Sequence, residues 1–531
     1  MPFLSFQFLI FICLTAVIYF CIPQKWKWGI LLAASYVYFF INSEWLLLIL
    51  FAETLVTFLT GILIEKQADA DNKKLAALNE TITKEEKRKM LAAGKNKRRL
   101  IMSCGICIVL FTLAFLKYYN FLAETVSFIT RRFEFSFPSL NLLLPLGISF
   151  YTLQAIAYMA DVYRGKIRAD RNLLKFMLFM SYFPQIIQGP IPRYNQLAEQ
   201  LYQPHSFEFQ RFCYGFQLMI WGFMKKMIIA DRIAIPVSRI FTDAADYEGL
   251  ILFFAAAAYG IQIYADFSGG MDIARGFSQI IGIDLELNFT QPYFSISVED
   301  FWRRWHITLG GFMRDYVFYP LSLSKTFTAI GKKTRRIFGN SVGKKIPAFL
   351  AMFIVYFLVG LWHGAQWKYV AYGIWNGLFI AGGILLSDMF LRIDRMLHIN
   401  TELVSWKMFR IFRTFIIVSF GRFFVRADGL KSAVRMMGSF FRGWYDCAFV
   451  FDGTLNKLGI GTAEWILILI MILILAAVDY LHEKDVFIRE WIRSQGVVFE
   501  MLIVIISVTA IFILGVYGPG YDAARFIYQQ F

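Results

Sequence analysis

Apolar residues run along this chain in stretches of about 17 to 23, separated by short polar turns. That length crosses the hydrocarbon core of a bilayer as a helix. The runs fall at 3–22, 28–41, 45–64, 100–122, 141–160, 173–191, 210–230, 250–267, 346–363, 368–387, 408–425, 463–481 and 497–517. Some are short or hold charges, so a few are expected to be re-entrant or interfacial. The pattern predicts an all-α, polytopic integral membrane protein with about 11 to 13 transmembrane or re-entrant helices. It reads as a single membrane domain over 1–531, with no internal repeat and no low-complexity segment.

Two polar stretches interrupt the pattern. Residues 65–99 hold eleven Lys/Arg and six Asp/Glu, a net charge of +5. This basic insertion suits an exposed helix, with docking of an acidic partner as the sharper alternative. Residues 325–345 hold seven Lys/Arg and no acid. Arg164, Lys166, Arg168 and Arg171 mark a third basic turn. Short basic loops stay in the cytoplasm, which puts the N-terminus outside. If 300–321 also crosses, the last span delivers the C-terminus outside. The run at 3–22 lacks a basic n-region and a clear cleavage site, so it reads as a retained span.

Composition supports the membrane reading. Hydrophobic residues are 58% and charged residues 17% of the 531, and mean hydropathy is +0.54. A soluble domain carries more charge. The net charge of +16 is explained by basic loops and does not imply nucleic-acid binding. Five of the six cysteines lie in or beside apolar runs. Cys104 and Cys107 form a CxxC inside one, and read as plain buried thiols ahead of a redox pair.

Chemistry narrows to two histidines. Only five occur, and His205, His398 and His482 fall in loops or at segment ends. His363 ends an apolar run, in Leu361-Trp362-His363-Gly364-Ala365-Gln366-Trp367. A titratable ring at membrane depth is costly and usually functional. A structural histidine bonded to a backbone carbonyl is the alternative. Gly360 and Gly364 flank the ring and would leave room for a substrate, while Trp362 and Trp367 would supply apolar walls. Desolvation there favours the neutral imidazole, which can accept a hydroxyl proton as a general base.

His306 lies in Glu299-Asp300-Phe301-Trp302-Arg303-Arg304-Trp305-His306, within the unusually aromatic and polar stretch 299–320. On a continuous helix, Trp302, His306, Leu309 and Met313 would share one stripe facing other helices. Arg303, Arg304 and Arg314 would need carboxylates or the interface, with Asp300 and Asp315 as nearby candidates. An amphipathic interfacial helix is the plainer reading of this segment. No HExxH, HxxxH or paired CxxC suggests a metal. No Walker loop or GxGxxG after a strand suggests phosphoryl or hydride chemistry.

The stretch WRRWHITLGGFMRDYVFYPL, followed about 40 residues later by GLWHGAQWKYVAYGIWNG, resembles the membrane-bound O-acyltransferase family, in its bacterial alginate O-acetyltransferase branch. PLGISFY at 145–151, PQIIQGPI at 184–191 and YADFSGG at 264–270 agree, and the resemblance spans most of the chain. It implies a tunnelled helical core in the cell membrane that moves an acyl group, most simply acetyl, to a hydroxyl. His363 becomes the catalytic residue and His306 lines the same tunnel, with Trp302, Arg304, Arg314, Asp315 and Trp362 as its wall. It implies no bound cofactor or metal. The donor is a thioester, acetyl-CoA or an acyl carrier, arriving from the cytoplasm. The acceptor is a cell-surface polysaccharide outside, reached through an SGNH-hydrolase-type partner. The C-terminal Arg525-Phe526-Ile527-Tyr528-Gln529-Gln530-Phe531 is similar to an aromatic motif of this branch, which casts Tyr528 as an acyl relay; an interfacial aromatic anchor is the alternative.

Rival functions stay open at this point. D-alanyl transfer to teichoic acid is a variant with a carrier-protein donor. A lipid or glycan transporter, with Asp266, Arg304 and His363 along its path, is a different class, although no inverted repeat is visible. A scaffold for envelope assembly would not need a buried histidine pair.

Overall fold

The computed structural model describes residues 5–77, 83–130 and 136–517. Across these the chain is helical, and the only strand-like feature is an isolated bridge between Phe289 and Trp305. Seven helical stretches are long and apolar enough to cross a membrane: Gln24–Ala77, Lys84–Thr130, Leu250–Ile280, Lys325–His363, Trp367–Met396, Thr462–Glu483 and Val497–Leu514. Phe6–Cys21 and Leu173–Ile186 are apolar but shorter. This is an all-α, multi-pass membrane protein.

Other apolar runs of the sequence form shorter or broken helices. The run at 141–160 becomes helical only from Ile148 to Tyr163, because Gly147 takes φ 71° at its entry. The run at 210–230 passes from Phe209–Phe223 into a π-helical turn at Met224–Ala230. Such turns open the regular ladder and are frequent at functional positions.

The chain divides into two compact units, Met1–Gly215 with Phe277–Glu286, and Phe216–Gly276 with Leu287–Phe531. In the first, glycines bring helices to close range. A Cβ at Gly61 would sit 2.8 Å from the Tyr158 ring, and one at Gly105 would sit 2.6 Å from Thr60 Oγ1. The basic insertion continues these helices beyond the apolar core. Leu47–Ala77 and Lys84–Thr130 carry it, and Asp71 accepts from Gln67 Nε2 at 2.7 Å and lies 3.5 Å from Arg98. Thr83 and Glu86 form a reciprocal cap at the start of the second helix, with Glu86 Oε2 3.0 Å from Thr83 N.

Cys104 and Cys107 correct an expectation: both are exposed on the Lys84–Thr130 helix rather than buried. A thiol behaves as a small hydrophobe, so an outward face of an apolar span suits it as well as a core does.

The second unit is built around ionic pairs inside a helical core. Lys226 Nζ lies 2.5 Å from Asp266 Oδ1 and 2.7 Å from Asp231 Oδ1, all three buried. Lys225 Nζ lies 2.8 Å from both Asp272 Oδ2 and Ser268 Oγ. Ions survive at this depth only when paired this closely. Lys325–His363 and Trp367–Met396 form a hairpin whose tight approach rests on Gly360 and Gly373.

Candidate active site

The two histidines come from different backbone devices. His363 is the last residue of its helix, and Gly364 N closes the end on Leu361 O at 3.2 Å. His306 sits at a break. Val298–Arg304 ends, His306 takes φ 50° and ψ 52°, and Ile307–Phe312 begins a new helix. The continuous stripe expected through Trp302, His306, Leu309 and Met313 is therefore interrupted.

The cause of the break lies upstream, in 288–290. Thr290 N donates to Arg304 O at 3.0 Å, and Ile307 N donates to Asn288 O at 3.1 Å. An extended segment thus pairs with 304–307 and satisfies backbone groups that a helix would otherwise use. A left-handed residue without glycine is strained and tends to occur where structure or function demands it.

Both rings are buried, His306 at 1% and His363 at 6% exposure, and Trp362 joins them. Its ring centroid lies 5.6 Å from that of His306 and 5.2 Å from that of His363. Phe267 packs edge-on to His306 at 5.0 Å, and Tyr372 packs edge-on to His363 at 5.7 Å. The two imidazoles are enclosed among aromatic rings. In such surroundings a hydrogen bond or developing charge counts for far more than in water.

Trp302 belongs to this box. Its Nε1 donates to Asn376 Oδ1 at 3.0 Å, and its ring packs against Tyr356 and Tyr372. Arg304 braces the segment from below, with Nη1 2.6 Å from Glu483 Oε2 and Nε 3.3 Å from Asp300 Oδ1. Arg314 and Asp315 pair with each other at 3.0 Å on the π-helical turn Met313–Phe318, where the Arg314 side chain is 62% exposed. Arg314 is thus open to solvent, while Asp315 beside it is part-buried. Tyr528 lies outside the described residues.

Two expectations about the surroundings of His363 change. Gly360 and Gly364 do not leave space beside the ring. A Cβ at Gly360 would meet the Tyr369 carbonyl and Gly373 Cα, and one at Gly364 would meet the Tyr369 ring. They are closely packed contacts that fix the hairpin. Trp367 is 52% exposed and is no wall of the site; Trp362 alone fills that role.

Three neighbours went unnoticed in the sequence. Asn288 contacts His306 Nδ1 at 3.1 Å through Nδ2. Tyr372 meets His363 and receives Arg422 Nη1 on its hydroxyl at 3.2 Å. Arg422, 2% exposed, also lies 4.9 Å over the Trp305 ring. The signal for Arg422 was present: a cation inside the apolar run 408–425 is a functional candidate by depth alone. Asn288 had no such signal. Among the described residues, no group of three or more His, Cys, Asp or Glu is arranged to hold a metal ion.

A multi-span helical protein with two buried imidazoles on one tryptophan defines the class: an intramembrane enzyme-like site built on a helix break and a helix end. Comparison with known proteins gives the family. The model of the membrane-bound O-acyltransferase family (MBOAT) matches residues 164–424, which include both histidines, Asn288 and Arg422. The probable alginate O-acetylase AlgI of Pseudomonas syringae pv. tomato is 34% identical over 338 residues, 64% of this chain and 60% of that protein. The probable AlgI of Pseudomonas putida is 34% identical over 346 residues, 65% of each chain. A peptidoglycan O-acetyltransferase of Helicobacter pylori is 28% identical over 367 residues, 64% of each chain. The matched stretch is thus less than two thirds of these relatives' own length. Residues 164–424 thus carry the membrane-bound O-acyltransferase match, and the chain is similar to the alginate O-acetylases of that family.

Proposed function

We propose that this protein is a membrane O-acyltransferase that moves an acetyl group from a cytoplasmic thioester, acetyl-CoA or an acyl carrier, to hydroxyls of a polysaccharide outside a bacterial plasma membrane. The observation that carries the reading is the burial of both His306 and His363 against Trp362. A transport path needs polar groups in water-filled file; this site instead seals two imidazoles among aromatic rings, which suits chemistry that water would spoil. The similarity to alginate O-acetylases supplies the acyl class.

In this reading His363 accepts the proton of the attacking hydroxyl. The oxygen bonds to the thioester carbonyl carbon, and the carbonyl electron pair moves onto its oxygen. Collapse re-forms the carbonyl and breaks the carbon–sulfur bond, and the departing thiolate takes the proton from His363 to leave as a thiol. General-base help of this kind contributes roughly 10²–10⁴-fold. Trp302 and Trp362 shape the walls, and Arg304 holds the segment that carries His306. Arg314 fits better at a mouth than in the reacting core, given its exposure, with Asp315 as its ion-pair partner. An SGNH-hydrolase-type partner would take the acyl group onward outside, and Tyr528 would serve as a relay on the way.

The test is replacement of His363 by alanine in the producing cell, with acetyl content of the surface polymers read by mass analysis. Loss of polymer acetylation at unchanged protein level is the expected result. Normal acetylation would overturn the assignment, and loss of D-alanyl rather than acetyl groups would move it to D-alanyl transfer.

A further inference from the structure

Asn288 is 2% exposed, and every hydrogen-bonding position of its side-chain amide is in use. Thr308 N donates to Oδ1 at 2.9 Å and Thr308 Oγ1 donates to it at 3.0 Å. Nδ2 lies 3.1 Å from Met271 Sδ and 3.1 Å from His306 Nδ1. An amide has two donors and two acceptor lone pairs, so these four contacts exhaust it.

The orientation of that amide follows from its neighbours. A backbone N–H can only donate, so the atom 2.9 Å from Thr308 N is the oxygen. The atom facing His306 Nδ1 is then the nitrogen, which can only donate. His306 Nδ1 must accept, and in a neutral ring the proton resides on Nε2. The opposite arrangement, Nδ1–H donating to Oδ1, would span 3.4 Å to an oxygen whose lone pairs are already taken.

We infer that Asn288 is a positioning residue that holds His306 as the Nε2–H tautomer, which makes His306 a hydrogen-bond donor to the reacting carbonyl oxygen and leaves the base role to His363. The two histidines then divide the chemistry: one receives a proton, the other steadies the negative charge that forms on oxygen. The break at His306 serves this division. The same 288–290 segment that interrupts the helix delivers the amide to Nδ1, so the backbone strain and the tautomer have one source. The inference deepens the O-acyl transfer reading and rests on it for the role of the donor, though not for the tautomer.

Two measurements on the full-length protein test it. In nitrogen-15 NMR of histidine-labelled protein at neutral pH, with His306→Gln used to assign the signal, the His306 resonances should show Nδ1 bare and Nε2 protonated. In kinetics, Asn288→Asp keeps both acceptor contacts to Thr308 but turns the group facing Nδ1 into an acceptor. It should lower kcat by roughly 10²–10³-fold, the usual effect of losing one oxyanion donor, with KM little changed. Asn288→Gln, which retains the amide donor, should recover part of that loss. A protonated Nδ1 in the unaltered protein overturns the inference, as does an Asn288→Asp enzyme with unchanged kcat. If the unaltered protein transfers no acyl group from acetyl-CoA or an acetyl carrier protein, the functional reading fails, and the NMR result still decides the tautomer.

Discussion

Lys226 faces two carboxylates, Asp231 and Asp266, with none of the three open to solvent. Three charges so placed carry a net negative charge on two acids and one cation. Removing the cation leaves like charges against each other in a poorly solvated core. Lys226→Met should therefore destabilise by about 3–5 kcal/mol, the range for a broken buried pair. Thermal unfolding in detergent reads this as a large drop in apparent Tm. Replacing all three groups with apolar residues of similar size should restore most of it, because a well-packed apolar cluster needs no charge balance. A Lys226→Met protein that melts like the parent would show that these carboxylates reach water. Arg304 is a different case at the same scale. It is bonded to Glu483 and Asp300 yet half-buried, so its removal should cost less than the loss of Lys226.

Between helices, the approach of Lys325–His363 to Trp367–Met396 depends on absent side chains. A Cβ at Gly360 would lie 2.8 Å from Gly373 Cα and 3.0 Å from Gly373 N, both backbone atoms that cannot turn aside. Gly360→Ala should cost about 1–3 kcal/mol as overpacking and shift the turn that carries His363. Apparent Tm and acyl transfer should fall together. Gly382→Ala on the same hairpin meets nothing within 4 Å and should be neutral or slightly stabilising through helix propensity. Equal melting of the two variants would remove the packing argument. These elements also mark how far the sequence could be read. The hairpin's long apolar runs, and the two histidines, stand out in composition and depth. The role of Gly360 does not, because a gap and a contact have the same sequence. Nor does the break at His306, whose cause is a backbone segment 16 to 18 residues upstream that no local periodicity links to it. Asn288 is ordinary in sequence and decisive only through where its amide points. Trp362 and Trp367 look equivalent along the chain, yet a turn buries one and exposes the other.

Across the whole molecule, charge is distributed in a way that sets direction. The net charge of +16 is concentrated in 65–99 and 325–345, next to the ends of apolar helices. Each lysine or arginine near a cytoplasmic leaflet gains about 1 kcal/mol from anionic lipid, and short basic segments are retained on that side during insertion. Arg88 and Arg335 lie on helices within these segments and are open to solvent, so neither charge is tied up inside the fold. In the proposed orientation the Lys84–Thr130 helix carries the chain across the membrane and puts the exposed Ser139 beyond it on the opposite side. The proposed reaction needs this asymmetry, since thioester donors are cytoplasmic and the polysaccharide is not. Single cysteines at 88, 335 and 139, in a chain whose six native cysteines are replaced by alanine or serine, provide the check. A membrane-impermeant maleimide should label Ser139→Cys in intact spheroplasts. Arg88→Cys and Arg335→Cys should react only after the membrane is opened. Labelling of either basic site from outside would reverse the orientation, and with it the side from which the donor reaches His363.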